Sequence, residues 1–147
     1  MKIGPRTRNL PTRIVTGGFI LHSGLDKWKG SKEQAEGIHG MAKGTYPFLA
    51  SIPPERFLKI LAVGEIVTGS LLLAPWVSNA KAGLALTGFS GSLLALYAKT
   101  PGLRQPGSVW PEQAGIALSK DVWMLGIGLS LLADPRKKKP KVTDSPD

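Results

Sequence analysis

Apolar and small residues dominate four stretches of this chain, and polar or proline-rich segments separate them. The first stretch begins near Thr12 with Ile14, Val15, Gly17, Gly18, Phe19, Ile20 and Leu21. It reaches Trp28 if Asp26 and Lys27 lie near its far end. The second, Phe57 to Val77, is almost continuously apolar, and it follows a Pro-Pro-Glu start that suits a helix N-terminus. The third, Ala82 to Ala98, contains no charge. The fourth, Gln113 to Ala133, carries Lys120 and Asp121 early and is uncharged from Val122 onward. A helix needs roughly 20 residues to cross the hydrocarbon core of a bilayer, and the first stretch is marginal against that measure. The pattern predicts an all-α integral membrane bundle of four transmembrane helices with a long first loop. Its spans are about 12–28, 57–77, 82–98 and 113–133.

The connections are read from their punctuation. Residues 29–56 are polar, broken by Gly30, Gly37, Gly40 and Gly44, and closed by Pro53 and Pro54. Within them Ala35, Ile38, Met41 and Ala42 recur at helical spacing, so a short interfacial helix and an irregular loop both fit. Ser78 to Lys81 reads as a tight turn. Lys99 to Glu112 reads as a loop carrying Pro101, Pro106, Pro111 and Trp110. Gly83, Thr87 and Gly91 fall four apart and form a small-residue stripe along which another helix could approach closely. Gly17-Gly18 reads as a packing contact rather than a phosphate loop, since no strand precedes it.

Charge changes the picture at the ends. The net charge is +9, yet the basic residues crowd the termini: Lys2, Arg6, Arg8 and Arg13 at one, Arg136, Lys137, Lys138, Lys139 and Lys141 at the other. Nucleic-acid surfaces interleave bases and aromatics on a folded face, so this distribution argues against a nucleic-acid partner. Basic flanks beside apolar spans place both termini in the cytoplasm by the positive-inside rule. Residues 1–11 are then a basic cytoplasmic arm, 12–134 the transmembrane domain, and 135–147 a polybasic disordered tail suited to anionic lipid or an acidic partner. With no cysteine, disulfides and thiolate metal sites are excluded within this chain. The run Ile14 to Leu25 is short and lacks a small-x-small cleavage site, so no cleavable signal is expected.

Several charges fall inside the apolar stretches. A charge within a span costs roughly 2.5 to 3.5 kcal/mol on insertion scales, so one that is retained faces the protein interior. Counting from the predicted span ends places Glu65, Lys120 and Asp121 at one level in the outer half of the bilayer. His22 lies at a similar depth, with Asp26 and Lys27 nearer the surface. The expectation is an intramembrane polar cluster in which Glu65 pairs with Lys120, acting as a clasp between helices or as a ligand or proton site, with a soluble helical bundle carrying ordinary surface charges as the lesser alternative. His22 and Asp26, four apart, could share a metal, but two ligands do not make a site and a satisfied helix face is the simpler reading. His39 is placed in the flexible loop without partners. No Ser/His/Asp set, nucleotide cradle or haem-type histidine pair is found, so no catalytic residue is assigned and no metal is expected.

Some of these motifs resemble a known family. Arg13 opening an apolar run, followed by Gly17, Phe19, Gly24 and Lys27, resembles the first helix of the DoxX family of small bacterial membrane proteins. Leu61 to Ile66 with Glu65, then Gly69 and Leu71 to Leu73, resembles the second helix, and Ser119-Lys120-Asp121 before Leu125-Gly126 the fourth. The match covers roughly residues 10 to 134. The resemblance implies a four-helix bundle in the bacterial cytoplasmic membrane, with Arg13, Lys27, Glu65, Lys120 and Asp121 in a shared polar core. Relatives include a subunit of an archaeal thiosulfate:quinone oxidoreductase, actinobacterial proteins linked to oxidative-stress complexes with superoxide dismutase and a sulfurtransferase, and distant eukaryotic cargo receptors.

Three functions follow as expectations. The chain is a non-catalytic membrane partner or scaffold in a redox or oxidative-stress complex, touching membrane lipids, soluble redox enzymes or other membrane subunits. Alternatively it is a quinone-linked oxidoreductase subunit, quinone being the one cofactor in view, or a small-solute or lipid transporter working as a homo-oligomer.

Overall fold

A computed structural model describes residues 8–134. The predicted arm before residue 8 and the polybasic tail with Arg136, Lys137, Lys138, Lys139 and Lys141 lie outside the described residues. Within them the chain is all-helical apart from one isolated bridge between Arg104 and Pro111. Helices α1 (Leu10–Trp28), α2 (Lys32–Thr45), α3 (Pro54–Leu73) and α4 (Asn79–Lys99) are followed by two pieces, α5 (Ile116–Ser119) and α6 (Asp121–Leu132). Short 3-10 turns at Pro47–Ser51 and Gln113–Gly115 lead into α3 and α5.

The boundaries follow from local chemistry. Pro11 and Pro54 sit in the first turns of α1 and α3, where a missing N–H costs nothing. Ser31 caps α2 by accepting from Gln34 N at 3.2 Å. The expected second span ends early, at Leu73, because Pro75 forces Ala74 into extended backbone (ψ 114°). The tight turn therefore lies at Ala74–Ser78. Ser78 Oγ accepts from Lys81 N at 3.3 Å, so Asn79 to Lys81 form the first turn of α4 rather than a loop. The expected fourth span is divided: Ser119 Oγ donates to the Ile116 carbonyl at 2.8 Å, and Trp123 N reaches the Lys120 carbonyl at 3.0 Å, three residues back. Such back-bonding bends a helix and tightens its hydrogen-bond ladder.

Two antiparallel pairs make the body, α1 against α3 and α4 against α6, joined through α3 and α4. Glycine allows both pairs to close. A Cβ at Gly83 would meet the Gly128 carbonyl at 2.7 Å, and one at Gly128 would meet Thr87 Oγ1 at 2.5 Å. The predicted stripe is thus used at Gly83 and Thr87. It is not used at Gly91, where a Cβ meets nothing within 4 Å. The core falls into two clusters at opposite ends. Ile20, Leu72, Ala82, Leu86 and Leu131 pack at the end where the described chain begins and finishes. Ala42, Leu49 and Leu96 pack beneath α2 at the other.

Residues 29–56 resolve in favour of helix. α2 buries Ala35, His39, Ala42 and Thr45 on one face. His39, expected in a flexible loop, is buried on α2, donates from Nε2 to the Leu49 carbonyl at 2.8 Å, and meets the Phe57 ring edge-on. The loop after α4 is tied into a hairpin. Pro106 and Gly107 (φ 68°) occupy the corners of a turn closed by Ser108 N on the Gln105 carbonyl at 3.1 Å, where the second corner requires positive φ. Tyr97 Oη holds this hairpin through the Val109 carbonyl at 2.8 Å.

Among the described residues one stretch, Gln113–Leu132, is long and apolar enough by composition to cross a membrane, with mean hydropathy 1.4 over its most apolar window. α3 and α4 have comparable length (20 and 21 residues) but do not qualify on length, apolarity and charge together, and α3 carries Glu55, Arg56, Lys59 and Glu65.

Candidate functional site

Between the two apolar clusters lies a cavity of about 400 Å³. Its polar wall comes from three helices: Ser23 and Lys27 on α1, Glu65 on α3, and Asp121 at the start of α6. Lys27 Nζ stands 3.0 Å from Glu65 Oε1 and donates to Ser23 Oγ at 2.7 Å. Ser23 Oγ lies 3.4 Å from Glu65 Oε1 as its donor. Helical geometry sets this up, since Ser23 and Lys27 are one turn apart and share a face. Gly24 brings α3 close enough for Lys27 to reach across: a Cβ at Gly24 would meet Glu65 Cβ at 2.9 Å.

The carboxylates are shielded. Glu65 is 6% exposed and Asp121 8%. Glu65 Oε2 is buried without a hydrogen-bond partner among the described residues. Asp121 opens α6, where the helix dipole favours a negative charge, and Lys27 and Glu65 both lie within electrostatic reach of it. No hydrogen bond to its carboxylate forms among the described residues. The site therefore contains two carboxylates and one ammonium, and an acceptor oxygen with nothing to accept from.

Of the residues expected in one polar cluster, the structure brings together Glu65, Asp121 and Lys27. Lys120 is exposed, and the partner of Glu65 is Lys27 rather than Lys120. Adjacent residues on a helix point about 100° apart, and here that rotation leaves Lys120 outside while Asp121 lines the cavity. His22 and Asp26 pair with each other at 3.2 Å on the outer face of α1, with side chains 77% and 68% exposed. Among the described residues no group of three metal-ligating side chains is assembled.

Arg13 belongs to a different site. It lies 14 residues before Lys27 on α1, about 21 Å along the axis at 1.5 Å per residue. Its guanidinium closes the C-terminus of α3: Nε donates to the Leu72 carbonyl at 2.8 Å, Nη1 to Val77 O and Asn79 Oδ1 (both 2.9 Å), and Nη2 to Leu71 O at 3.0 Å and Ala74 O at 2.9 Å. Five donors meet five acceptors, and the cation sits at the negative end of the helix dipole. Asn79 Nδ2 donates onward to Asp134 Oδ2 at 2.7 Å, and Arg8 Nη2 to Asp134 Oδ1 at 2.8 Å. The network joins the ends of four helices. Asp134 is held below the ordinary carboxylate range by the Asn79 hydrogen bond first, with the Arg8 hydrogen bond and charge adding to it.

Sequence reasoning missed Ser23, Asn79 and Asp134. The i, i+4 spacing of Ser23 and Lys27 was a usable signal, whereas Asp134 reads simply as the stop before Pro135. Compared with known protein families, with curated proteins and with solved structures, the chain has no significant match in any of the three, so its likeness to DoxX rests on the motifs quoted above.

Proposed function

We propose that this chain is a small membrane-embedded four-helix protein, and that it serves as a non-catalytic membrane partner in a redox or oxidative-stress complex of the DoxX kind. The observation that carries the membrane reading is the distribution of side chains. Large apolar residues lie outside, with Phe19 73% and Trp123 68% exposed, and Val15, Val67 and Leu84 also outward. Arg13, Glu65 and Asp121 lie inside. Hydrocarbon around the bundle would accommodate these outward apolar side chains, and burial keeps the three charges away from it. Trp28, Phe48 and Trp110 are exposed at the loop end and Trp76 at the opposite end, in keeping with aromatic residues at the two interfaces. The antiparallel helix order puts both described chain ends on one side, which the basic termini assign to the cytoplasm.

The test is in two parts. The full chain in its native membrane resists alkaline carbonate extraction, and recovery in the soluble fraction would remove the membrane reading. Affinity purification of the full chain recovers soluble partner enzymes, whereas a chain ending after Asp134 loses them. If the shortened chain recovers the same partners, the tail has no recruiting role.

A further inference from the structure

We propose that the cavity between α1, α3, α4 and α6 is a binding site for an organic monocation: a lipophilic primary amine whose ammonium is held between Glu65 and Asp121. This goes beyond the membrane-partner role and does not depend on it.

The charge balance of the cavity points to a cation. Two buried carboxylates face one ammonium, and Lys27 is already committed to Glu65 Oε1 and Ser23. Glu65 Oε2 is left as a buried acceptor with no donor, and an unpaired buried polar atom is costly unless something supplies the missing bond. Asp121 lines the same cavity and offers a second acceptor. A donor-rich ligand head satisfies both.

The walls decide what kind of cation. A hard metal ion needs about six oxygen ligands, and the polar side chains here provide only the two carboxylates and one hydroxyl. The rest of the lining is apolar, including Phe19, Leu61, Phe89, Leu93 and Met124. A primary ammonium brings three donors on a small head and a hydrocarbon body that removes apolar wall from contact with water. The volume of about 400 Å³ lies within the range of small-molecule sites. Ile38 and Met41 of α2 line the chamber toward the loop end. Methionine on two walls, Met41 and Met124, lets it adapt to the shape of the body.

The experiment uses the purified full chain in a neutral detergent and three probes of equal chain length: decylamine, decanol and decanoate. Decylamine is expected to give a saturable rise in Tm of about 5 °C, as a ligand at many times its Kd does, while decanol and decanoate give no saturable rise. Glu65→Gln removes the rise, Asp121→Asn weakens it at least tenfold in midpoint concentration, and Asp26→Asn, on the outer face of α1, leaves it unchanged. An amine response no greater than that of decanol would overturn the proposal, as would a full response in Glu65→Gln. Should the Glu65 variant fail to fold, the unmodified sequence still decides the matter. A hydrophobic carbodiimide labels Glu65, read by peptide mass spectrometry, and decylamine protects it. Equal labelling with and without the amine contradicts the proposal.

Discussion

Lys27 and Glu65 show at the scale of single residues how burial sets the stakes. Their pair is shielded on both sides, with side chains 20% and 8% exposed, so each depends on the other for compensation. Lys27→Met alone strands a buried carboxylate and is expected to cost about 3 kcal/mol or more, whereas Lys27→Met with Glu65→Leu recovers most of that loss. Apparent unfolding free energies of the two variants in detergent check this. Equal destabilisation in both would mean that the loss does not come from a stranded carboxylate. The level of this site was legible in the sequence, because counting residues from a span end gives height along a helix. Its pairing was not, because height says nothing about azimuth. Glu65 was matched to Lys120 on depth, and the rotation between Lys120 and Asp121 turned the lysine outward and the aspartate inward. His39 was misread for a related reason: its burial depends on Leu49 and Phe57, which only the folded loop brings to it.

At the scale of elements, two contacts decide how helices meet. α4 and α6 touch through Gly83 and Gly128, where an added Cβ would come within 2.7 Å of the facing helix and leave no room for a side chain. Gly83→Val is expected to force the pair apart at a cost of about 2 kcal/mol, while Gly91→Ala is tolerated or gains up to about 1 kcal/mol from the better helix former. Thermal unfolding of the two variants separates them, and a tolerated Gly83→Val would show that α4 and α6 are not closely packed. At the helix ends, Asp134 joins α4 to α6 through Asn79 and to Arg8 before α1. Its native pKa is lowered, chiefly by the Asn79 hydrogen bond. Its contribution is therefore complete above the ordinary aspartate value of about 3.9 and is lost as pH falls through the lowered native value. Asp134→Asn should unfold at lower temperature than the parent at neutral pH, and the gap should close on acidification below the ordinary value. A gap that widens with acid would contradict the linkage. Helix ends were partly legible: Pro54 and Pro75 act locally and mark the two ends of α3, whereas Ser78 reads as the start of a turn and instead caps α4. The division of the last helix at Lys120 was not legible, since it arises from a serine back-bond within an otherwise apolar run.

At the scale of the whole molecule, two small cores flank a charged chamber, and large apolar side chains such as Val15, Phe19 and Trp123 face outward. Four helical stretches were visible in the sequence because hydrophobic runs and proline punctuation are local signals. Which helices adjoin was visible only in part, through the small-residue stripe, and the clasp made by Arg13 was hidden because four of its five acceptors are backbone carbonyls carrying no sequence signature. Under the proposed function the bundle crosses a membrane with its described ends on one side and α2 and the hairpin on the other. Because the chain has no cysteine, single cysteines can be placed without removing any native one and labelled with an impermeant maleimide in sealed vesicles of known orientation. The account predicts that Lys81→Cys and Lys137→Cys label from the cytoplasmic side only, and Ser51→Cys and Gln105→Cys from the opposite side only. Labelling of all four from one side would contradict it.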